Sequence, residues 1–290
     1  MRGLSRVASE TTGPSIVRRP PASAGSILAG ALVWLALAWG AVLVSDGLDL
    51  LGWRAHLQEP LWQTLFLNRR PTEWLQWVGL AATYGGAWYL AARIHGDGDA
   101  GHRRFLLWLG LGAALMLIED AGDVRHIIAL YVRRAVDDAL VLGLHPATLV
   151  DIPYFTVLAG PLIYALVRYG RSVWEVSGSR PYLALGYASY GFAGAGSALS
   201  GVGGGRAESS VYLGSLYERI GRTIEALLPG SEHMAGGLEP AHFRFLLADG
   251  PVEESLELVG VACLLSVVVA LAHWYADDDR ELAAAPVSDP

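Results

Sequence analysis

The run SILAGALVWLALAWGAVLV, Ser26–Val44, holds 19 residues without a charge, and it restricts this chain more than any other feature. As a helix it reaches roughly 28 Å at about 1.5 Å per residue, close to the ~30 Å hydrocarbon layer of a bilayer. No water satisfies backbone N–H and C=O groups in that layer, so a segment of this kind crosses it as a helix. The run LVGVACLLSVVVALAHWYA, Leu258–Ala276, repeats the pattern with 19 more uncharged residues.

Four further stretches fit the same reading, at 74–92, 105–126, 152–167 and 181–202. The expected architecture is an all-α transmembrane bundle over 26–276 with about six spanning helices, 26–44 and 256–276 being the outer two. Trp74, Trp77, Trp88 and Tyr89 stand near the ends of the second span, where aromatic belts lie. Pro161 is expected to kink the fourth. The fifth is only weakly hydrophobic, but its small residues (GFAGAGSALSG) let helices approach closely. In the connector 203–250, Leu213, Leu216, Ile220, Ile224 and Leu227 recur at helical spacing opposite Glu218, Arg219, Arg222 and Glu225. They predict an amphipathic helix on the membrane surface or capping the bundle.

Composition agrees with a polytopic protein, since 53% of the 290 residues are hydrophobic and 17% charged. All 21 Lys+Arg residues are arginine, which with the many Ala and Gly residues suggests a GC-rich prokaryotic source. A net charge of −7 argues against a nucleic-acid partner. The single cysteine, Cys263, excludes an intramolecular disulfide and a thiolate metal cluster. The first apolar run ends in SDGLDL, without a small-x-small cleavage site, so a retained first helix behind a polar tail (1–25) is expected. A second polar tail covers 277–290. Arginines in short segments near the spans favour a cell-membrane protein with cytoplasmic termini.

Within this apolar frame the stretch IEDAGDVRH, Ile118–His126, is anomalous. Only 14 uncharged residues, Phe105–Ile118, precede it, reaching about 21 Å as a helix. Glu119, Asp120 and Asp123 then fall inside the layer, where a charge costs several kcal/mol unless paired, protonated or cation-bound. On a continuous helix Glu119, Asp123 and His126 lie within an arc of roughly 60°. A second cluster, DGPVEESLELVG, Asp249–Gly260, opens the last span, with Asp249 as the expected N-cap. In a six-span bundle the end of the third helix and the start of the sixth meet at one surface.

Two classes of chemistry fit. Glu119, Asp123, His126, Glu253 and Glu257 make a carboxylate–imidazole ligand set for iron, manganese, zinc or magnesium. Asp120 or Glu254 would then be the general base of a membrane-embedded enzyme acting on a lipid or other apolar substrate. The same carboxylates also suit a cation- or proton-coupled transporter. A non-catalytic scaffold needs only structural ion pairs, which Arg125, Arg133 and Arg134 could supply. His233, His242 and His145 are further imidazoles within reach of the same surface. Tyr182, Tyr187 and Tyr190 read as packing residues, Asp151 as a cap of the fourth helix, and His273 as an interfacial anchor.

The paired motifs resemble those of a broad group of uncharacterised prokaryotic multi-pass membrane proteins. That group carries an acidic pair followed by a histidine near the end of one helix, and EE-x-x-E-x-x-G opening the last. Glu253, Glu254, Glu257 and Gly260 match the second motif. Glu119-Asp120 matches the pair with the acids reversed, and His126 lies one place later. The resemblance runs from the third span to the sixth and implies that the two clusters act together. It brings no reaction with it.

Overall fold

The computed structural model describes residues 22–52, 56–67, 69–94, 99–135, 146–176, 178–200, 202 and 213–284. Among them there is no strand. Helix α1 (Ala22–Val42) leads through a π turn (Leu43–Gly47) and a short α2 (Leu61–Phe66) to α3 (Pro71–Arg93) and α4 (Ala100–Gly122). After α5 (Val124–Ala135) come the long α6 (Pro146–Glu175) and α7 (Arg180–Leu199). Three short helices, α8 (Leu216–Leu227), α9 (Ser231–Met234) and α10 (Pro240–Leu247), precede α11 (Glu253–Ala284).

Four segments are long and apolar enough to cross a membrane: Ala22–Gly47, Ala100–Gly122, Leu149–Glu175 and Pro240–Asp277. Helices α3 and α7 have the length, but their Trp, Tyr and Gly residues keep them off that set. Helix α11 is the axis of the bundle, packed against α1, α3 and α7, with α4 between α3 and α6. Its core residues Val261, Cys263, Leu264, Val267 and Leu271 join Leu80, Phe105, Leu109, Ala165 and Leu183 in one cluster. A second cluster joins Val42, Trp62, Phe66, Phe243 and Leu247 where α1 ends and α11 begins.

The helices run up and down. At one end Ser23 of α1 meets His273 of α11 at 3.3 Å, and His102 of α4 bonds both Tyr275 (2.8 Å) and the Ser172 carbonyl of α6 (3.0 Å). The end of α4, the start of α6, the end of α7 and the start of α11 therefore gather at the other. That arrangement brings the two acidic motifs to one level.

Three local expectations change. The third span does not run unbroken to 126, because Asp123 takes a left-handed conformation (φ 51°) and α5 restarts at Val124. The common face computed for Glu119, Asp123 and His126 therefore does not exist: one left-handed residue ends the helical phase. Asp249 is no N-cap, since α10 continues into α11 through a π turn, Ala248–Val252. Asp151 lies inside α6 rather than capping it.

The amphipathic helix is present as α8, capped by Ser215, whose Oγ accepts from the Glu218 amide at 3.1 Å. It buries part of each face, Glu218 from the polar one and Ile224, packed on the second core cluster, from the apolar one. Glu218 is 0% exposed and Gly221 lies against the backbone of Arg244, while Leu213 and Leu227 point out at 50% and 77% exposure.

Candidate functional site

Between α3, α4, α6, α7 and α11, at the end where the acidic motifs meet, lies a cavity of about 590 Å³. Helix α4 and its C-terminal turn contribute Glu119, Asp120 and Asp123; α11 and the turn before it contribute Asp249, Glu253, Glu254 and Glu257. With Glu73 of α3, eight carboxylates line the cavity, against two arginines, Arg69 and Arg125. Most of what α6 and α7 contribute is apolar. Ile152, Phe155, Leu158, Leu162 and Ile163 come from α6, and Gly191, Gly194, Ala195 and Ala198 from α7.

Arg125 anchors the inner edge. Its Nη1 donates to Ser197 Oγ at 3.0 Å and lies 3.8 Å from Asp151 Oδ1, while Nε is 3.7 Å from Glu119 Oε1. The guanidinium covers the Phe155 ring, 5.0 Å from its centroid. Glu119, 7% exposed, also accepts from the Tyr154 hydroxyl at 2.5 Å and from the Arg125 amide at 3.2 Å. The break at Asp123 is what turns that amide back towards the carboxylate.

Other acids have neutral donors. Tyr217 gives its hydroxyl to Glu253 at 2.5 Å, and Gln76 Nε2 donates to Glu254 Oε2 at 2.7 Å. The Arg69 amide donates to Glu73. Asp120 and Glu257 receive no hydrogen bond from any described residue. Beside them the Tyr190 hydroxyl is buried and unpartnered, within electrostatic range of Glu257, Asp120 and Glu254. Tyr190 can approach this closely because position 260 is glycine: a Cβ there would stand 2.5 Å from the Tyr190 ring.

Of the residues proposed from sequence, Glu119, Asp120, Asp123, Glu253, Glu254 and Glu257 share this one cavity. The side chains of His126 and Arg133, and all of His145, lie outside the described residues. Among the described residues no group of three or more His, Cys, Asp and Glu side chains is placed to hold a metal ion. His233 lines a separate cavity of about 200 Å³ beside Asp46 and Glu59. His273 is at the far end, bonded to the Val269 carbonyl at 2.9 Å.

Sequence reasoning missed Glu73, Gln76, Tyr154 and Tyr217 and gave Tyr190 only a packing role. Glu73 and Gln76 had a signal, two polar residues one turn apart at the start of an apolar helix. Tyr154 and Tyr217 had none. Comparison with protein-family models, curated proteins and solved structures found no match to this chain.

Proposed function

We propose that the chain is a six-helix integral membrane protein that takes up a cation in exchange for protons at this cavity, as a cation- or proton-coupled carrier. One observation carries the reading: eight carboxylates face two arginines in one cavity, and Asp120 and Glu257 have no hydrogen-bond donor among the described residues. Arg125 is already shared between Glu119 and Asp151. Asp120 and Glu257 stand beside further carboxylates, and carboxylates away from bulk water call for protons or a cation. Spanning by α3 and α7 is supported by the large apolar groups they turn outward, Val78 at 68% and Phe192 at 73% exposure. With the termini on the cytoplasmic side, the cavity belongs to the outer end of the bundle.

A second reading draws on the apolar part of the lining. In it Glu119, Asp123, Glu253, Glu257 and His126 hold a divalent metal, and Asp120 or Glu254 acts as base on a lipid substrate.

The deciding experiment adds MnCl₂ to the detergent-purified protein in weak buffer and follows proton release and free Mn²⁺. The carrier reading expects saturable binding with proton release, lost in both Asp120→Asn and Glu257→Gln. Iron, manganese or zinc that co-purifies in stoichiometric amount and survives dialysis would favour the metal enzyme. Neither binding nor resident metal would sink both.

A further inference from the structure

Resting on the cation-cavity reading, we propose that the natural ligand is an organic cation with an apolar body. Size is the first ground. At about 590 Å³ the cavity falls within the range of small-molecule sites, about 300–1,000 Å³, far more space than a bare ion fills.

The second ground is how the charges are spread. A metal ion held by direct coordination needs at least three ligands converging at bonding distance, and no such group exists among the described residues, so an ion such as Mn²⁺ is held there only as a loosely placed counter-ion. A delocalised cation makes no such demand. It needs net negative charge nearby and aromatic faces, and the cavity supplies both, with Tyr187 and Tyr190 among its lining.

The third ground is the mixed lining. Asp120 of α4 and Glu257 of α11 line the cavity together with Leu158 and Leu162 of α6 and Gly191 and Gly194 of α7. A Cβ added at Gly191 or Gly194 meets nothing within 4 Å, so the α7 part of the lining is bare of side chains where a hydrocarbon body would rest. The unpartnered Tyr190 hydroxyl lies within electrostatic range of the acids. An anion is opposed by the lining charge, and a neutral lipid leaves that charge unanswered.

The test uses two probes of nearly one shape and opposite charge. The full-length protein in dodecyl maltoside is titrated calorimetrically with tetraphenylphosphonium, with tetraphenylborate and, separately, with MnCl₂. Saturable binding of the phosphonium and none of the borate is expected. Gly194→Leu, which fills space at the α7 part of the lining, should weaken the phosphonium by at least about tenfold and leave Mn²⁺ unchanged. Glu257→Gln should weaken both. Mn²⁺ binding without phosphonium binding would overturn the organic ligand and leave the cation cavity standing. Equal binding of the two isosteres would reduce the site to a greasy surface, and a Gly194→Leu variant that binds as well as wild type would move it elsewhere. If neither cation binds, both readings fall.

Discussion

Two charged clusters in this molecule are built from the same residue types and reach opposite ends. Between α8 and α10, Glu218 and Glu225 meet Arg222 and Arg244. Arg222 Nη2 reaches both Glu218 oxygens at 2.8 and 3.0 Å, and Arg244 links Glu218 (3.4 Å) to Glu225 (2.5 Å). Two acids face two cations, and every charge has a hydrogen-bonded partner. In the cavity eight acids face two cations, and two of the acids have no donor among the described residues. The first arrangement is what an ion-pair network that holds helices together looks like. The second sets like charges against one another, and under the proposed function the difference separates charge that builds structure from charge that serves a ligand.

The comparison breaks most visibly at Arg125, the one cavity group that resembles the α8–α10 cluster. Arg125→Gln leaves Glu119 and Asp151, only 9% and 11% exposed at their side chains, without their shared cation. Removing one partner of such a buried set costs about 3–5 kcal/mol. A large fall in melting temperature in detergent is expected, with Arg125→Lys intermediate, since the ammonium keeps the charge and loses the planar stack on Phe155. An unchanged melting temperature would mean that the cavity does not depend on this pairing.

Glu218 gives the next effect and carries a pH signature. Burial alone would raise its carboxyl, but hydrogen bonds and charge from Arg222, then Arg244, outweigh it and hold the group below 4.5. A carboxyl held low in the folded state contributes stability above its ordinary value, and loses it as pH falls through the lowered one. Glu218→Gln should therefore cost about 2 kcal/mol at neutral pH. The gap to wild type should close as the melt is repeated below the ordinary carboxylate value. A gap that stays constant with pH would make the contribution packing rather than charge.

The bundle and the meeting of its acidic motifs were legible in the sequence because both rest on long-range regularities. Apolar runs of membrane length announce long helices, four of them apolar enough to cross a membrane, and the up-and-down order of the bundle brings the end of α4 to the start of α11. What was not legible depends on single residues. Nothing in GDVRH announces that Asp123 turns left-handed, which destroys the face shared with His126 and aims the Arg125 amide at Glu119 instead. The pattern of α8 correctly marked an amphipathic helix, but periodicity says only that two faces differ. It does not say which residues meet the protein, and here Glu218 of the polar face is buried against Arg244 while Ile224 of the apolar face packs on the core. Tyr154 and Tyr217 reach their carboxylates across helices far apart in the chain, so no local spacing could have found them.

The smallest effect has the opposite sign and tests the comparison most directly. At Glu218 neutralisation removes a partner from two arginines, so stability falls. At Glu257 it removes a carboxylate that stands near Asp120, Glu254 and Glu253 and takes no hydrogen bond from the described residues. Glu257→Gln, measured without added cation, should raise stability by about 1 kcal/mol, as relief of an unfavourable functional site commonly does. Saturating cation should then raise the melting temperature of wild type and leave the variant where it was, because only a ligand that binds the folded state adds stability. Should Glu257→Gln instead lose stability on the scale of Glu218→Gln, its carboxylate is a structural partner, and the contrast between the two clusters collapses.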